Sequence, residues 1–260
     1  MSAAPDVIVL AGGRAERLGG TSKPDVRIGG RTLLERVLAA AAAGAAGVRP
    51  GGPIEDGTGT TRDRSEKPPI RAVVVGPPAL AATPVPPGLE VRVTSEDPPF
   101  GGPVAGLAAG LAALEDWTCG ATFAHPDSAP EAPILVLACD LPFASTAVGP
   151  LLARYAALAP DEDGTCAEHA GRLQWLAGVY RRDSLQRAVA ELATVRDASV
   201  RALMASLRLV AAPGLDARDV DTWGDVAYAR DEAGEPRTED GPWPAADVAE
   251  SAQRMGEEDR

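Results

Sequence analysis

The sequence is poor in aromatic residues, cysteines and histidines. Phe, Trp and Tyr make up only 4% of the 260 residues, so the core must be built mainly from Ala, Val and Leu. The three cysteines are an odd number and contain no C-x-x-C spacing, which argues against a disulfide framework or a zinc site and favours reduced thiols in the cytosol. The two histidines, His125 and His169, lie in polar segments, and we interpret both as surface residues.

The sequence also lacks long apolar runs and an excess of basic charge. No uninterrupted hydrophobic run reaches the ~18 residues of a membrane span, and residues 2–6 lack the basic segment that opens a signal peptide. The formal net charge of −12 argues against nucleic acid or an anionic membrane as the main partner. We therefore expect a cytoplasmic protein. A phosphate site is still compatible with this charge, because a few local cations and backbone amides are enough to form one.

Three segments lack the hydrophobic periodicity of regular structure. Residues at about 50–70 and 118–133 are rich in Gly, Pro, Thr or charge, and we predict that both are loop insertions. Residues 231–260 are acidic and low in hydrophobic residues, which is typical of a disordered tail. Residues 1–230 are predicted to form a single domain around the two insertions.

Short β-branched runs alternate with helical patterns over the rest of the chain. The predicted strands span residues 7–10, 72–75, 89–94, 134–138, 165–168, 176–180 and 209–211. The predicted helices span residues 32–45, 104–114, 146–158, 183–192, 198–207 and 222–230. This alternation predicts an α/β fold, a three-layer α/β/α sandwich with a mostly parallel, Rossmann-like sheet.

Ligands of such sheets bind at the carboxyl ends of the strands, and two features of the sequence stand at such ends. A glycine-rich loop begins at Gly12 and Gly13, directly after the first predicted strand, and Asp140 follows the strand 134–138. Glycines let the backbone approach a phosphate closely, and successive N–H groups in such a turn form an anion-binding nest. Arg17 and Lys23 add cations to the same loop. Its spacing differs from both the dinucleotide-binding and the Walker patterns, which disfavours those two classes of site.

The run from Leu10 to Lys23 resembles the signature of the molybdenum cofactor guanylyltransferases, within the wider sugar-nucleotidyltransferase-like group. Three further segments resemble the family's motifs in the same chain order, and together they cover about residues 6–230 apart from the insertions. They are Glu96-Asp97 with Gly102-Pro103-Val104-Ala105-Gly106, then Cys139-Asp140-Leu141-Pro142, then Asp219-Val220-Asp221-Thr222 with Asp225. Two positions depart from the pattern: Trp223 replaces a proline, and Gly76-Pro77-Pro78 stands where the family often has Asn.

The resemblance implies transfer of GMP from GTP to molybdopterin-bound molybdenum cofactor, which releases pyrophosphate and forms a guanine dinucleotide cofactor. It implies Mg²⁺ as the cofactor, with Asp140 as the metal ligand. The implied catalytic residues are Lys23, Arg17 and Asp140. The implied nucleotide-binding residues are Leu10, Ala11, Gly12, Gly13, Lys23, Asp97 and Asp140. The resemblance implies GTP and the pterin cofactor as partners. It is also compatible with further partners, namely proteins that insert the molybdenum cofactor or the enzymes that receive it.

Several alternatives remain open at this point. Asp140 could merely cap a turn, and Asp97, which precedes Pro98-Pro99, could have only a turn role. Guanine preference depends on the pair Gly12-Gly13, because related cytidylyltransferases tend to begin L-A-A-G where this chain has Leu10-Ala11-Gly12-Gly13. The chain could instead transfer CMP to the pterin, or a nucleotide to a sugar phosphate or another phosphorylated acceptor. A non-catalytic nucleotide-binding regulator is the alternative from a different class, although retention of both Lys23 and Asp140 favours an enzyme.

Overall fold

The computed structural model describes residues 4–12, 22–47, 69–120 and 132–235. Within these residues the strands are β1 Asp6–Leu10, β2 Arg27–Ile28, β3 Arg31–Thr32, β4 Ile70–Val75, β5 Leu89–Thr94, β6 Ile134–Ala138, β7 Gly164–His169, β8 Arg172–Tyr180 and β9 Leu209–Pro213. The α-helices are α1 Leu33–Ala46, α2 Pro103–Gly120, α3 Ala144–Ala156, α4 Arg182–Ala190, α5 Val200–Met204 and α6 Trp223–Glu232.

Seven of these strands form one sheet in the order β5-β4-β1-β6-β8-β7-β9. Only β8 runs antiparallel to its neighbours β6 and β7, and all other pairings are parallel. The remaining strands, β2 and β3, form a small antiparallel hairpin just before α1. The predicted mostly parallel α/β sandwich is therefore confirmed.

The central strand β1 shows why the protein has three layers. All five of its residues are buried, and its alternate side chains enter two different cores. Val7 and Val9 pack with residues of α1 and α3 on one face of the sheet. Ile8 and Leu10 pack with residues of α2, α4 and α5 on the other face. A strand covered on both faces is a continuous apolar run, as this one is from Val7 onward.

Helix α1 begins with a capping box formed by Thr32 and Glu35. The Thr32 side chain accepts a hydrogen bond from the N–H of Glu35, and the Glu35 carboxylate accepts one from the N–H of Thr32. Farther along the helix, Gly44 allows close packing against α3, because a Cβ at this position would lie 2.4 Å from Cγ1 of Val148. Gly47 is the C-terminal cap, one residue after Ala46.

The observed bounds differ from the predicted ones in places. Helix α2 continues to Gly120, beyond the predicted start of the second insertion at 118, and α5 is shorter than predicted. The hairpin β2–β3 was not predicted, because each of its strands has only two residues. Residues 48–68, 121–131 and 236–260, which contain most of both predicted insertions and of the predicted tail, lie outside the described residues. Among the described helices, none combines the length and the hydrophobicity of a membrane span.

A buried ionic cluster lies at the amino edge of the sheet, at the start of β1. The Asp6 carboxylate accepts hydrogen bonds from Nε of Arg71 on β4 at 2.9 Å and from Nη2 of the same residue at 2.5 Å. Nη2 of Arg182, the first residue of α4, also donates to Asp6. Asp6 is 4% exposed, so a single buried carboxylate joins two strands to a helix.

Candidate active site

Three loops leave the sheet side by side at its carboxyl edge. Leu10, the last residue of β1, is in register with Val75 of β4 and Ala138 of β6. Two backbone hydrogen bonds extend the pairing past the strands: the N–H of Ala11 donates to the carbonyl of Val75 at 2.8 Å, and the N–H of Cys139 donates to the carbonyl of Leu10 at 2.9 Å. The start of the glycine-rich loop is therefore fixed beside the residue that precedes Asp140.

Gly76 packs tightly beneath the start of this loop. A Cβ at Gly76 would lie 3.0 Å from the carbonyl oxygen of Ala11 and 2.8 Å from Cδ1 of Leu80. Any side chain at position 76 would therefore push on Ala11. The glycine at position 76, where the family often has Asn, therefore lets the backbone after β4 pack closely against Ala11.

Lys23 lies across this edge, at the start of a 3-10 turn that spans Lys23–Asp25. Its Nζ donates to Oδ2 of Asp140 at 2.8 Å and to Oδ1 of Asp221, which follows β9 in the chain. The lysine thus joins the loop after β6 to the segment that leads into α6. Lys23 is half-buried, with a quarter of its side chain exposed.

Asp140, Asp219 and Asp221 form a carboxylate cluster around this lysine. Each offers one oxygen, and the three oxygens lie within 4.8 Å of one another. Oδ1 of Asp140 is buried and has no hydrogen-bond partner among the described residues. Carboxylate oxygens are the preferred ligands of Mg²⁺ and Mn²⁺. The donor set and the unsatisfied oxygen both fit a divalent cation at this cluster.

The pKa shifts in the cluster reflect its excess of negative charge. Burial alone would lower the pKa of Lys23, but Asp140 and Asp221 outweigh burial and raise that pKa above its ordinary value. Burial raises the pKa of Asp219, and the negative charges of Asp140 and Asp221 raise it further. Within the part of the chain that the structure describes, three carboxylates converge beside one ammonium group, which favours the binding of a further cation.

The segment that carries Asp219 and Asp221 is held in place at several points. The N–H of Val220 donates to the carbonyl of Asp140 at 3.0 Å, so a backbone hydrogen bond joins the segment of Asp219 and Asp221 to the loop after β6. A capping box at the start of α6 fixes the other side of Asp221. There the Asp225 carboxylate accepts from the N–H groups of Asp221 and Thr222, and the Thr222 hydroxyl accepts from the N–H of Asp225.

An arginine and two aromatic rings also support the segments that carry Asp140 and Asp219. The guanidinium of Arg218 donates to both carboxylate oxygens of Asp216 and to the Tyr228 hydroxyl on α6. It lies 4.2 Å from the centre of the Tyr228 ring and 5.8 Å from that of Phe143, three residues beyond Asp140. These contacts connect the segment that precedes Asp219 to the loop that follows Asp140.

The structure brings part of the predicted site together. Leu10, Ala11 and Gly12 lie beside Asp140 at the carboxyl edge, and Lys23 contacts Asp140 directly. Gly13 and Arg17 lie outside the described residues.

The two residues of the acidic pair Glu96-Asp97 after β5 differ in exposure: Glu96 is partly buried and Asp97 is exposed. Oε1 of Glu96 accepts from the N–H of Gly101, and a Cβ at Gly106 would lie 3.2 Å from its Oε2 and 3.4 Å from Cδ2 of Leu10. Asp97 is exposed, and no described contact joins it to Lys23 or Asp140. Glu96 is therefore the residue of the pair that packs next to the end of β1.

Asp219 and Asp221 are the residues that the sequence analysis did not assign to the site. They were matched to a family motif, yet only Asp140 was predicted to bind metal. The available signal was the acidic spacing Asp219-Val220-Asp221, which places two carboxylates on the same side of an extended segment.

The sheet order and the lysine–carboxylate site define the class of the protein, an α/β nucleotidyltransferase. The chain belongs to the family of the MobA-like NTP transferase domain, whose model matches residues 7–211. No curated protein matches the sequence significantly.

Solved structures from three organisms share the fold. The molybdopterin-guanine dinucleotide biosynthesis protein A of Archaeoglobus fulgidus is 18% identical, with a TM-score of 0.55 over 88% of this chain and 98% of that one. Rv0371c of Mycobacterium tuberculosis H37Rv, in a complex with manganese, is 19% identical, with a TM-score of 0.53 over 89% and 100%. The inositol-1-phosphate CTP transferase of T. maritima is 12% identical, with a TM-score of 0.52 over 92% and 100%.

Proposed function

We propose that this protein transfers GMP from GTP to molybdopterin-bound molybdenum cofactor, with release of pyrophosphate and formation of a guanine dinucleotide cofactor. The observation that carries the proposal is the contact of Lys23 with Asp140 and Asp221, beside the loop that begins at Leu10. This arrangement combines a cation for phosphates with carboxylates for a metal ion. The resemblance of four motifs and the shared fold of the Archaeoglobus fulgidus protein support this acceptor.

In the proposed reaction an oxygen of the acceptor's phosphate forms a bond to the α-phosphorus of GTP. The bond from that phosphorus to the bridging oxygen breaks, and pyrophosphate leaves with the electron pair. The acceptor needs no general base, since a phosphate monoester is largely ionised near neutral pH. Both reactants are anions, so the protein's contribution is alignment and the stabilisation of negative charge.

Each predicted site residue has a role in this proposal. Lys23 and Arg17 bind the phosphates and stabilise the charge that develops on them. The backbone from Leu10 to Gly13 is proposed to contact the nucleoside, and the glycine in place of alanine within this run is proposed to favour guanine as the larger base. Asp97 is proposed to bind the base or the ribose.

Asp140, Asp219 and Asp221 would hold Mg²⁺, the proposed cofactor. The cation, when bound, would neutralise phosphate oxygens and the leaving pyrophosphate. The manganese complex of a protein with the same fold agrees with a divalent-cation site in this class. The buried, unsatisfied Oδ1 of Asp140 is the observation on this chain that favours such a site.

The second candidate function is nucleotidyl transfer to a different phosphorylated acceptor, or cytidylyl transfer to the same pterin. The observation in its favour is the fold shared with the inositol-1-phosphate CTP transferase of T. maritima. The metal–lysine site would serve either reaction equally, because it faces the phosphates that all nucleoside triphosphates have in common.

A matrix of nucleotides and acceptors separates the two functions. GTP, CTP, ATP and UTP would each be combined with Mg²⁺ and either molybdopterin cofactor, a sugar phosphate or inositol phosphate, and pyrophosphate release would be measured. We expect the fastest release with GTP and the pterin cofactor, because the sequence Leu10-Ala11-Gly12-Gly13 has glycine where related cytidylyltransferases tend to have alanine. Faster turnover with CTP, or turnover only with a non-pterin acceptor, would establish the second function. Nucleotide binding without release under any combination would indicate a regulator.

The capping box at α6 gives a further prediction for the metal site. Thr222→Ala removes the hydroxyl that accepts from Asp225, and we expect it to reduce the free energy of unfolding by about 1 kcal/mol. Because Asp221 then loses part of its support, Mn²⁺ affinity should fall by about tenfold. Ser199→Ala is the matched control, since Ser199 caps α5 through Ala202 and no described contact joins it to the carboxylates. Equal losses of metal affinity in the two variants would show that the effect is not specific to Asp221.

A further inference from the structure

The ammonium group of Lys23 contacts two of the oxygens that would bind the metal. Its Nζ lies 2.8 Å from Oδ2 of Asp140 and is hydrogen-bonded to Oδ1 of Asp221. Those two residues and Asp219 are the three whose oxygens converge within 4.8 Å. A divalent cation bound by this set would therefore compete with the lysine for the same negative charge.

The lysine neutralises the cluster only in part. Lys23 contacts two of the three carboxylates, and Oδ1 of Asp140 remains buried without a partner among the described residues. The cluster is thus held together by Lys23 but not saturated by it. The contacts with Lys23 hold the carboxylates in place, and the cluster can still bind a cation of higher charge.

The side chain of Lys23 can reach more than one partner. A lysine is a mobile point charge on a flexible stem, with three donors that can rotate to new acceptors. The side chain is a quarter exposed, and the preceding residue, Ser22, is exposed. The phosphate chain of a nucleotide bound along the loop from Leu10 would offer anionic oxygens to the same ammonium group.

We propose that Lys23 acts as a placeholder for the metal in the nucleotide-free protein, so that the site takes up the divalent cation together with the triphosphate and not as a free ion. The inference rests on the proposed nucleotidyl transfer, since it assumes that phosphates bind beside Lys23. The phosphates draw the ammonium group away from the carboxylates, and the cation that accompanies them takes its place. Removal of the lysine, a residue with a proposed catalytic role, therefore improves binding of the free ion.

Titration of the nucleotide-free protein with Mn²⁺, followed by electron paramagnetic resonance, tests this exchange. Lys23→Met should bind free Mn²⁺ at least about tenfold more tightly than the wild-type protein, because a positive charge in direct contact with the ligands is gone. Lys23→Arg, which keeps the charge, should bind it no more tightly than the wild type. Asp140→Asn in the Lys23→Met background should abolish the gain and thereby assign it to this cluster.

The control for a general charge effect is Arg31→Gln. Arg31 is exposed on β3, a few residues along the chain from Lys23, and it makes no described contact with the carboxylates. Its replacement should leave Mn²⁺ affinity within about twofold of the wild type, since exposed charges at a distance are screened. A gain equal to that of Lys23→Met would contradict the placeholder role.

Thermal melting provides a second readout that needs no turnover. Without metal, Lys23→Met loses the ion pairs of Lys23 with Asp140 and Asp221, so its melting temperature should fall below that of the wild type. Saturating Mn²⁺ should raise the melting temperature of the variant more than that of the wild type. Mn²⁺ binding by Lys23→Met that is no tighter than wild-type binding, with the variant folded, would overturn the inference. Neither measurement contains GTP or an acceptor, so failure of the proposed transfer would leave these results interpretable by themselves.

Discussion

Asp140→Asn is expected to reduce metal-dependent pyrophosphate release by about a thousandfold, since a catalytic metal ion contributes several kcal/mol and each 1.36 kcal/mol is a factor of ten. Asn has the size of Asp and can still accept a hydrogen bond from Lys23, but it lacks the negative charge. The backbone carbonyl that accepts from Val220 is unchanged. The variant should therefore fold normally and lose turnover at saturating GTP.

Asp219→Asn is the matched control within the same cluster. Asp219 is the more exposed of the two residues, whereas Asp140 contains the buried unsatisfied oxygen and contacts Lys23. We expect the Asp219 variant to require more Mg²⁺ for half-maximal activity but to approach normal turnover at saturation. Activity of Asp140→Asn within about tenfold of the wild type at saturating Mg²⁺ would remove Asp140 from the metal role, because a metal ligand contributes far more than that factor.

Two strands, β5 and β6, have the bounds that the sequence predicts, for different reasons. β6 lies between β1 and β8 with most of its residues fully buried, so it must be apolar throughout and its ends are visible in the sequence. β5 is an edge strand, and its apolar residues alternate with polar ones, which is the pattern of a half-buried strand. β8 begins four residues before its predicted start, because its first part is exposed and polar and the register with β7 shifts between Cys166 and Ala167.

The site was predictable where its residues belong to motifs that start at the ends of strands. Lys23 and Asp140 belong to motifs with a recognisable position at the carboxyl edge of the sheet. Asp221 lies 198 residues from Lys23 in the sequence, and their contact depends on the path of the chain after β9 and on the bond from Val220 to Asp140. No local pattern encodes that path, so the acidic spacing of Asp219 and Asp221 could not by itself place these two carboxylates beside Asp140.

The other large effect is expected at the opposite edge of the sheet, where Asp6→Asn should reduce the free energy of unfolding by about 3–5 kcal/mol. The Asp6 carboxylate is the common partner of Arg71 and Arg182, whose side chains are only 14% and 10% exposed. Without its charge, two largely buried guanidinium groups lose the anion that they share. For a domain of this size the melting temperature should fall by roughly 6–20 °C, measured by calorimetry without ligands.

Asp161→Asn is the control for this effect, because Asp161 pairs with Arg208 at 2.7 Å while both side chains are more than half exposed. An exposed pair of this kind is expected to contribute less than about 1 kcal/mol. Equal melting temperatures for the two variants would contradict a stabilising role for the Asp6 cluster. A triple variant, Asp6→Leu with Arg71→Met and Arg182→Met, separates two causes. Recovery of stability would show that the loss in Asp6→Asn comes from uncompensated positive charge, since apolar groups of similar size can replace a buried ionic cluster at little cost.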